Sequence, residues 1–141
     1  MTPEEALQGT LAGEHAAVYL YGVLGGRVSS SSEPDLYQRL SEAYTLHRGR
    51  RDQLDAMVRA AGADPVAAKV SYELPNPATT PAQLQRAALR VEERCAALYA
   101  DMIGSTSQAN RQWALEALQD AAVRLLGFGG EPEAFPGIGE L

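Results

Sequence analysis

One cysteine, Cys95, in 141 residues leaves nothing to close a disulfide and too few thiols for a multi-cysteine zinc or iron–sulfur site. Aromatic residues are sparse, at 6 %, and lysine is nearly missing: Lys69 is the one exception among twelve basic residues that are otherwise all Arg. Acids outnumber bases by 18 to 12, a net charge of −6. Phosphate binding rests on basic patches, so nucleic acid is not an expected partner. No apolar run approaches the ~20 residues that a membrane span needs, so no membrane is expected either. The opening MTPEEALQGT has no basic stretch leading into an apolar one, so no secretory signal is expected there, and the expected location is the cytoplasm. No cysteine nucleophile with a positioned base is visible, nor a Ser-His-Asp set with recognisable spacing. Gly127-Phe128-Gly129-Gly130 follows a helical stretch instead of preceding one, so it is not a phosphate loop.

What is abundant is alanine, 24 residues of it, together with Arg, Leu and Glu, all good helix formers. The length suits one domain, and the pattern predicts a single all-α domain of four helices. The first spans about 3–27: Thr2 caps it, Pro3 suits its first position, and Leu7, Leu11, Glu14, Val18 and Tyr21 share one face. Gly25 and Gly26 are its expected stop. The second spans about 34–61, ended by Gly62 and Pro65, with a face of Leu36, Leu40, Ala43 or Tyr44, His47, Arg51, Leu54 and Val58. Thr80-Pro81-Ala82-Gln83 is a capping-box start for a third helix, 81–103, which presents Leu84, Ala88, Val91, Cys95, Leu98 and Met102 and stops at Gly104. The fourth spans about 108–127 with Trp113, Leu115, Leu118, Ala121, Ala122 and Leu125, and a Pro/Gly-rich tail, 128–141, follows.

Residues 63–80 carry Pro65, Pro75 and Pro77 and cannot form a regular helix. Connections that run short, long, short describe an antiparallel four-helix bundle with one crossover in the middle, the ferritin-like arrangement.

Burial excludes charge, so ionisable groups on these apolar faces need a reason. Glu14 lies between Leu11 and Val18; His47 and Arg51 lie between Leu40 and Leu54. Glu92 shares a side with Ala88, Cys95 and Tyr99, with Glu93 as its neighbouring competitor, and Asp120 and Arg124 follow Trp113 and Ala117 on the fourth helix. Di-iron bundles use one Glu from each of two helices and Glu-x-x-His from the other two. Here Tyr44 stands where the Glu before His47 belongs, and helix four offers no His, so a two-His di-iron centre cannot be assembled. Two guanidinium groups, Arg51 and Arg124, can instead take the space of two metal ions and pair the carboxylates. The polar core expected on this ground is Glu14, Tyr44, His47, Arg51, Glu92, Asp120 and Arg124, with no metal or other cofactor and no catalytic residue. The alternative is a single iron, manganese or zinc ion held by Glu14, His47, Glu92 and Asp120, with redox activity open to it.

Several stretches resemble an uncharacterised bacterial family of the ferritin-like superfamily. They are Gly13-Glu14-His15-Ala16-Ala17-Val18-Tyr19-Leu20-Tyr21-Gly22, Tyr44-Thr45-Leu46-His47-Arg48-Gly49-Arg50-Arg51-Asp52, Tyr72-Glu73-Leu74-Pro75, Val91-Glu92-Glu93, Asp120-Ala121-Ala122-Val123-Arg124 and Phe135-Pro136-Gly137. The resemblance implies a compact four-helix ferritin-like bundle and no particular activity. The iron oxidation and dimerisation frequent in the wider superfamily are not implied, because the ligand pattern departs at two or more positions.

Gly9 and Gly13, with Ala6, Ala16 and Ala17, form a small-residue stripe on helix one. Packing inside the bundle is one use for it, and a homodimer face is the sharper alternative. Tyr19, Tyr21, Tyr44 and Tyr99 all lie near the polar centre in this reading, and Cys95 reads as a small buried apolar residue. The sequence names no ligand, substrate or partner.

Overall fold

A computed structural model describes residues 1–138. It consists of four helices: α1 (Pro3–Arg27), α2 (Pro34–Ala60), α3 (Pro81–Ser105) and α4 (Gln108–Gly127), with no strand among the described residues. At the start of α1, Thr2 accepts a hydrogen bond from the Glu5 N–H while Glu5 accepts from the Thr2 N–H, a reciprocal cap ahead of Pro3. At α3 only half of that device forms. Thr80 accepts from the Gln83 N–H, but the Gln83 side chain reaches one residue further back, to the N–H and hydroxyl of Thr79.

Helix ends differ from expectation by a residue or two. Gly25, Gly26 and Gly104 lie inside their helices, and Val28 and Thr106 cap α1 and α3 in extended conformation. Gly62 does end α2: with φ of +84° it allows the Ala63 N–H to turn back onto the Val58 carbonyl.

The 61–80 segment is a strap laid along α1 in the same direction. Gln8 holds Asp64 and Val66, the His15 ring bonds the Val66 carbonyl, Tyr19 packs on Tyr72, and Arg27 donates to the Pro77 carbonyl. The chain is thereby carried from one end of the bundle to the other before α3 starts. Neighbouring helices are consequently antiparallel: α1 packs on α2 and α3, and α3 on α4. The α2–α4 side is joined by side chains at three levels, Arg39 to the Gly127 carbonyl, Arg50 to Asp120 and Trp113 to Gln53. The fold is an all-α four-helix bundle with one long crossover between α2 and α3. No helix among the described residues is long and apolar enough to cross a membrane.

The core is two apolar clusters. One holds Leu20, Leu24, Leu36, Leu40, Leu84 and Phe128 with their neighbours. The other holds Leu7, Leu11, Leu54, Val58, Met102 and Ala114. Along α1 and α2, Glu14 and His47 fall between them, so a polar layer crosses the bundle at mid-height. Gly13 turns toward α3, where a Cβ would collide with Leu98, so this part of the small-residue stripe serves close packing inside the bundle.

Candidate functional site

Each helix delivers two side chains to the polar layer at helical spacing: Glu14 and Tyr21 from α1, His47 and Arg50 from α2, Glu92 and Tyr99 from α3, Asp120 and Arg124 from α4. At its centre the His47 ring, 0 % exposed, spans two buried carboxylates. Its Nδ1 donates to Glu14 Oε2 at 2.5 Å and its Nε2 to Glu92 Oε1 at 2.8 Å. The Tyr99 hydroxyl donates to Glu14 Oε1, and the Tyr21 hydroxyl donates to Glu92 Oε1 at 2.7 Å. The Tyr21 ring also stacks on the imidazole, 5.3 Å between centroids.

An outer tier closes the layer. Arg50 donates to the Tyr99 hydroxyl at 3.0 Å and to Asp120 Oδ2 at 2.6 Å, and Arg124 donates to the same Oδ2 at 2.6 Å. Arg124 Nη1 comes within 3.9 Å of Glu92 Oε2, which is buried and has no hydrogen-bond partner among the described residues.

Burial by itself lowers the pKa of His47, but the charge of Glu14 and the hydrogen bonds His47 donates to Glu14 and Glu92 outweigh it, and the value rises from 6.5 to about 9. His47 is therefore an imidazolium at neutral pH, with both ring nitrogens donating. Burial raises Glu92, yet bonding to His47 and Tyr21 and the charges of His47 and Arg124 leave it below the ordinary carboxylate range. The Tyr21 and Tyr99 hydroxyls and the Cys95 thiol are pushed well up, by burial first and by the neighbouring carboxylates second, and stay protonated. Three carboxylates thus face three cations, His47, Arg50 and Arg124, and the layer is neutral.

The structure departs from the sequence reading at three residues. Arg51 does not enter the core. Its side chain, 29 % exposed, pairs with Asp52, whereas Arg50, 9 % exposed, takes the inner place, because position 50 continues the alternation of three and four residues through Leu36, Leu40, Ala43, His47 and Leu54. Tyr44 is half-buried, with Arg48 over its ring at 5.5 Å, and makes no bond to the polar layer. Tyr19 likewise packs on the strap. Of the adjacent acids, Glu92 is the one turned inward; Glu93 pairs with Arg90 at the surface. Asp120 is held by Arg50 and Arg124, apart from Glu14 and His47.

Among the described residues, the group whose donor atoms lie close enough to hold a metal ion is Glu14, His47 and Cys95, within 4.8 Å of one another. It does not fit an ion well. Both His47 nitrogens are committed to carboxylates, and the Cys95 thiol would have to ionise against its burial.

A family model matches residues 6–140 of the chain. The chain belongs to the family described as a domain of unknown function (DUF4439). Among solved structures, this member of the family is similar to a conserved hypothetical protein, rv2844, from Mycobacterium tuberculosis. The TM-score is 0.82 at 29 % identity, over 89 % of this chain and 87 % of that one. No curated protein matches the chain.

Proposed function

We propose that this protein is a ferritin-like bundle whose di-metal centre has been replaced by a proton-bearing polar network, and that it serves as a metal-free structural or binding module. The observation that carries the reading is His47, an imidazolium bonded through both nitrogens to Glu14 and Glu92. It supplies from within the chain the positive charge that a cation would bring, and it leaves no ring nitrogen to ligate one. Arg50 and Arg124 complete the neutralisation at Asp120. The single long crossover and the antiparallel neighbours support the ferritin-like assignment.

The competing reading is one bound iron, manganese or zinc ion, and the proximity of Glu14, His47 and Cys95 is what favours it. Elemental analysis of untagged protein, expressed with all three metals supplied, decides between them. Metal-free protein that folds cooperatively is the expected result. Near-stoichiometric metal that disappears in His47→Ala overturns the proposal.

A further inference from the structure

Behind Arg124, on the α2–α4 side, the surface opens into a cleft of about 200 Å³ lined by Arg39, Glu42, Asp120, Val123, Arg124 and Phe128. Two guanidinium groups and two carboxylates line it, together with the exposed Val123 and the edge of the buried Phe128. Asp120 and Arg124 are fixed by each other and by the buried layer. Arg39 and Glu42, three residues apart on α2, do not pair with each other. Arg39 turns its Nη1 to the Gly127 carbonyl and its Nε toward the Asp35 carbonyl, and Glu42 Oε1 accepts from Gln38. Among the described residues neither is in an ion pair, so the cleft holds one cation and one anion on the same helix whose partners are neutral groups.

The lining has no net charge, so a bare anion meets two carboxylates and a bare cation meets two guanidinium groups. A molecule with both charges a few bonds apart matches both poles. We propose that this cleft binds a small zwitterion of the α-amino-acid type. The carboxylate sits on Arg39 and Arg124, the ammonium on Glu42 and Asp120, and an apolar side chain lies against Val123. This goes beyond the metal-free reading and stands on the cleft alone, so metal content and ligand binding fail separately.

The test is calorimetry and thermal melting with the twenty L-amino acids in turn, with L-valine as the lead probe and 3-methylbutanoate and isobutylamine as its one-charge relatives. L-valine is expected to raise the melting temperature and to bind at least about tenfold more tightly than either relative. Arg39→Gln and Glu42→Gln, both at exposed positions, are each expected to weaken it about tenfold with the helical circular dichroism unchanged. Val123→Trp, at a position 70 % exposed, fills the cleft and abolishes binding without touching the buried layer. The proposal is overturned if none of the twenty binds, if L-valine binds no better than its one-charge relatives, or if Arg39→Gln and Glu42→Gln leave the affinity unchanged.

Discussion

The His47 proton has a thermodynamic signature that can be read directly. In the unfolded chain the imidazole titrates near 6.5; in the bundle, Glu14 and Glu92 hold its proton up to about 9. A folded-state value above the unfolded one means that the stabilisation is fully present below pH 6.5 and is lost as pH rises through about 9. Within that window the unfolded chain has released a proton that the folded chain keeps, so the unfolding free energy falls by about 1.4 kcal/mol per pH unit. The whole window is worth about 3 kcal/mol, a large share of the 5–15 kcal/mol typical of a domain. For a chain of this size that corresponds to a drop of about 10 °C in melting temperature. In the unfolded chain Cys95 and the tyrosines are half-ionised at 9.0 and 10.0, so only the lower part of the window is free of their titration. Urea titrations across this range, paired with NMR of the His47 ring nitrogens and with His15→Gln to remove the second histidine, measure both sides of the linkage. In His47→Gln the slope is expected to vanish and the stability to fall by about 3–5 kcal/mol, because two buried carboxylates lose their cation. A ring that titrates near 6.5, or a stability that stays flat through the window, refutes the account of the charge balance.

Two further outcomes test the outer tier and the tyrosine anchors. Arg50→Met is expected to cost about 3–5 kcal/mol, since it strips Asp120 and Tyr99 of a shared donor, while Arg51→Met costs less than about 1 kcal/mol; equal losses in chemical denaturation would return Arg51 to the core. Tyr21→Phe and Tyr99→Phe are each expected to cost about 1.5–3 kcal/mol, because each removes a hydrogen bond to a charged carboxylate in a site closed to water, and neutral substitutions in the same melts would show these hydroxyls to be idle.

The fold was legible because proline and glycine punctuate it. Pro3, Pro34 and Pro81 open three of the helices, and three prolines between 63 and 80 forbid a helix there, so four helices and one crossover follow. Glycine was the weaker guide. Gly25, Gly26 and Gly104 read as stops but meet nothing that a helix cannot accommodate, whereas Gly62, with its positive φ, is a stop in fact. Within the site, Glu14, His47 and Glu92 could be placed because an acid or an imidazole between leucines has nowhere to go but inward. Arg51 was misplaced because positions 50 and 51 both lie within reach of the seam three and four residues after His47. The heptad register set by Leu36, Ala43 and the position seven beyond it selects Arg50, and that was the signal available. The two tyrosine anchors had a signal of their own: Tyr21 and Tyr99 stand seven residues beyond Glu14 and Glu92 on the same helix faces and bond the carboxylates, whereas Tyr19 and Tyr44 do not stand at that interval and pack their rings elsewhere.

A neutral polar layer between two apolar clusters also bears on how the bundle keeps its register. Leucine and alanine seams tolerate sliding, because apolar contacts are nearly interchangeable from one turn to the next. Glu14, His47 and Glu92 are not interchangeable: a one-turn shift of α1, α2 or α3 leaves a buried carboxylate without its imidazolium, at a cost of several kcal/mol. The strap along α1 fixes which end α3 starts from, and the layer fixes how far along α1 and α2 it stops. Glu92 Oε2 is where this specification is incomplete, buried and 3.9 Å from the Arg124 guanidinium. Arg124 is also the side chain that faces the surface cleft. A ligand carboxylate in the proposed cleft would share the Arg124 guanidinium with Asp120, to which Arg124 already donates two hydrogen bonds.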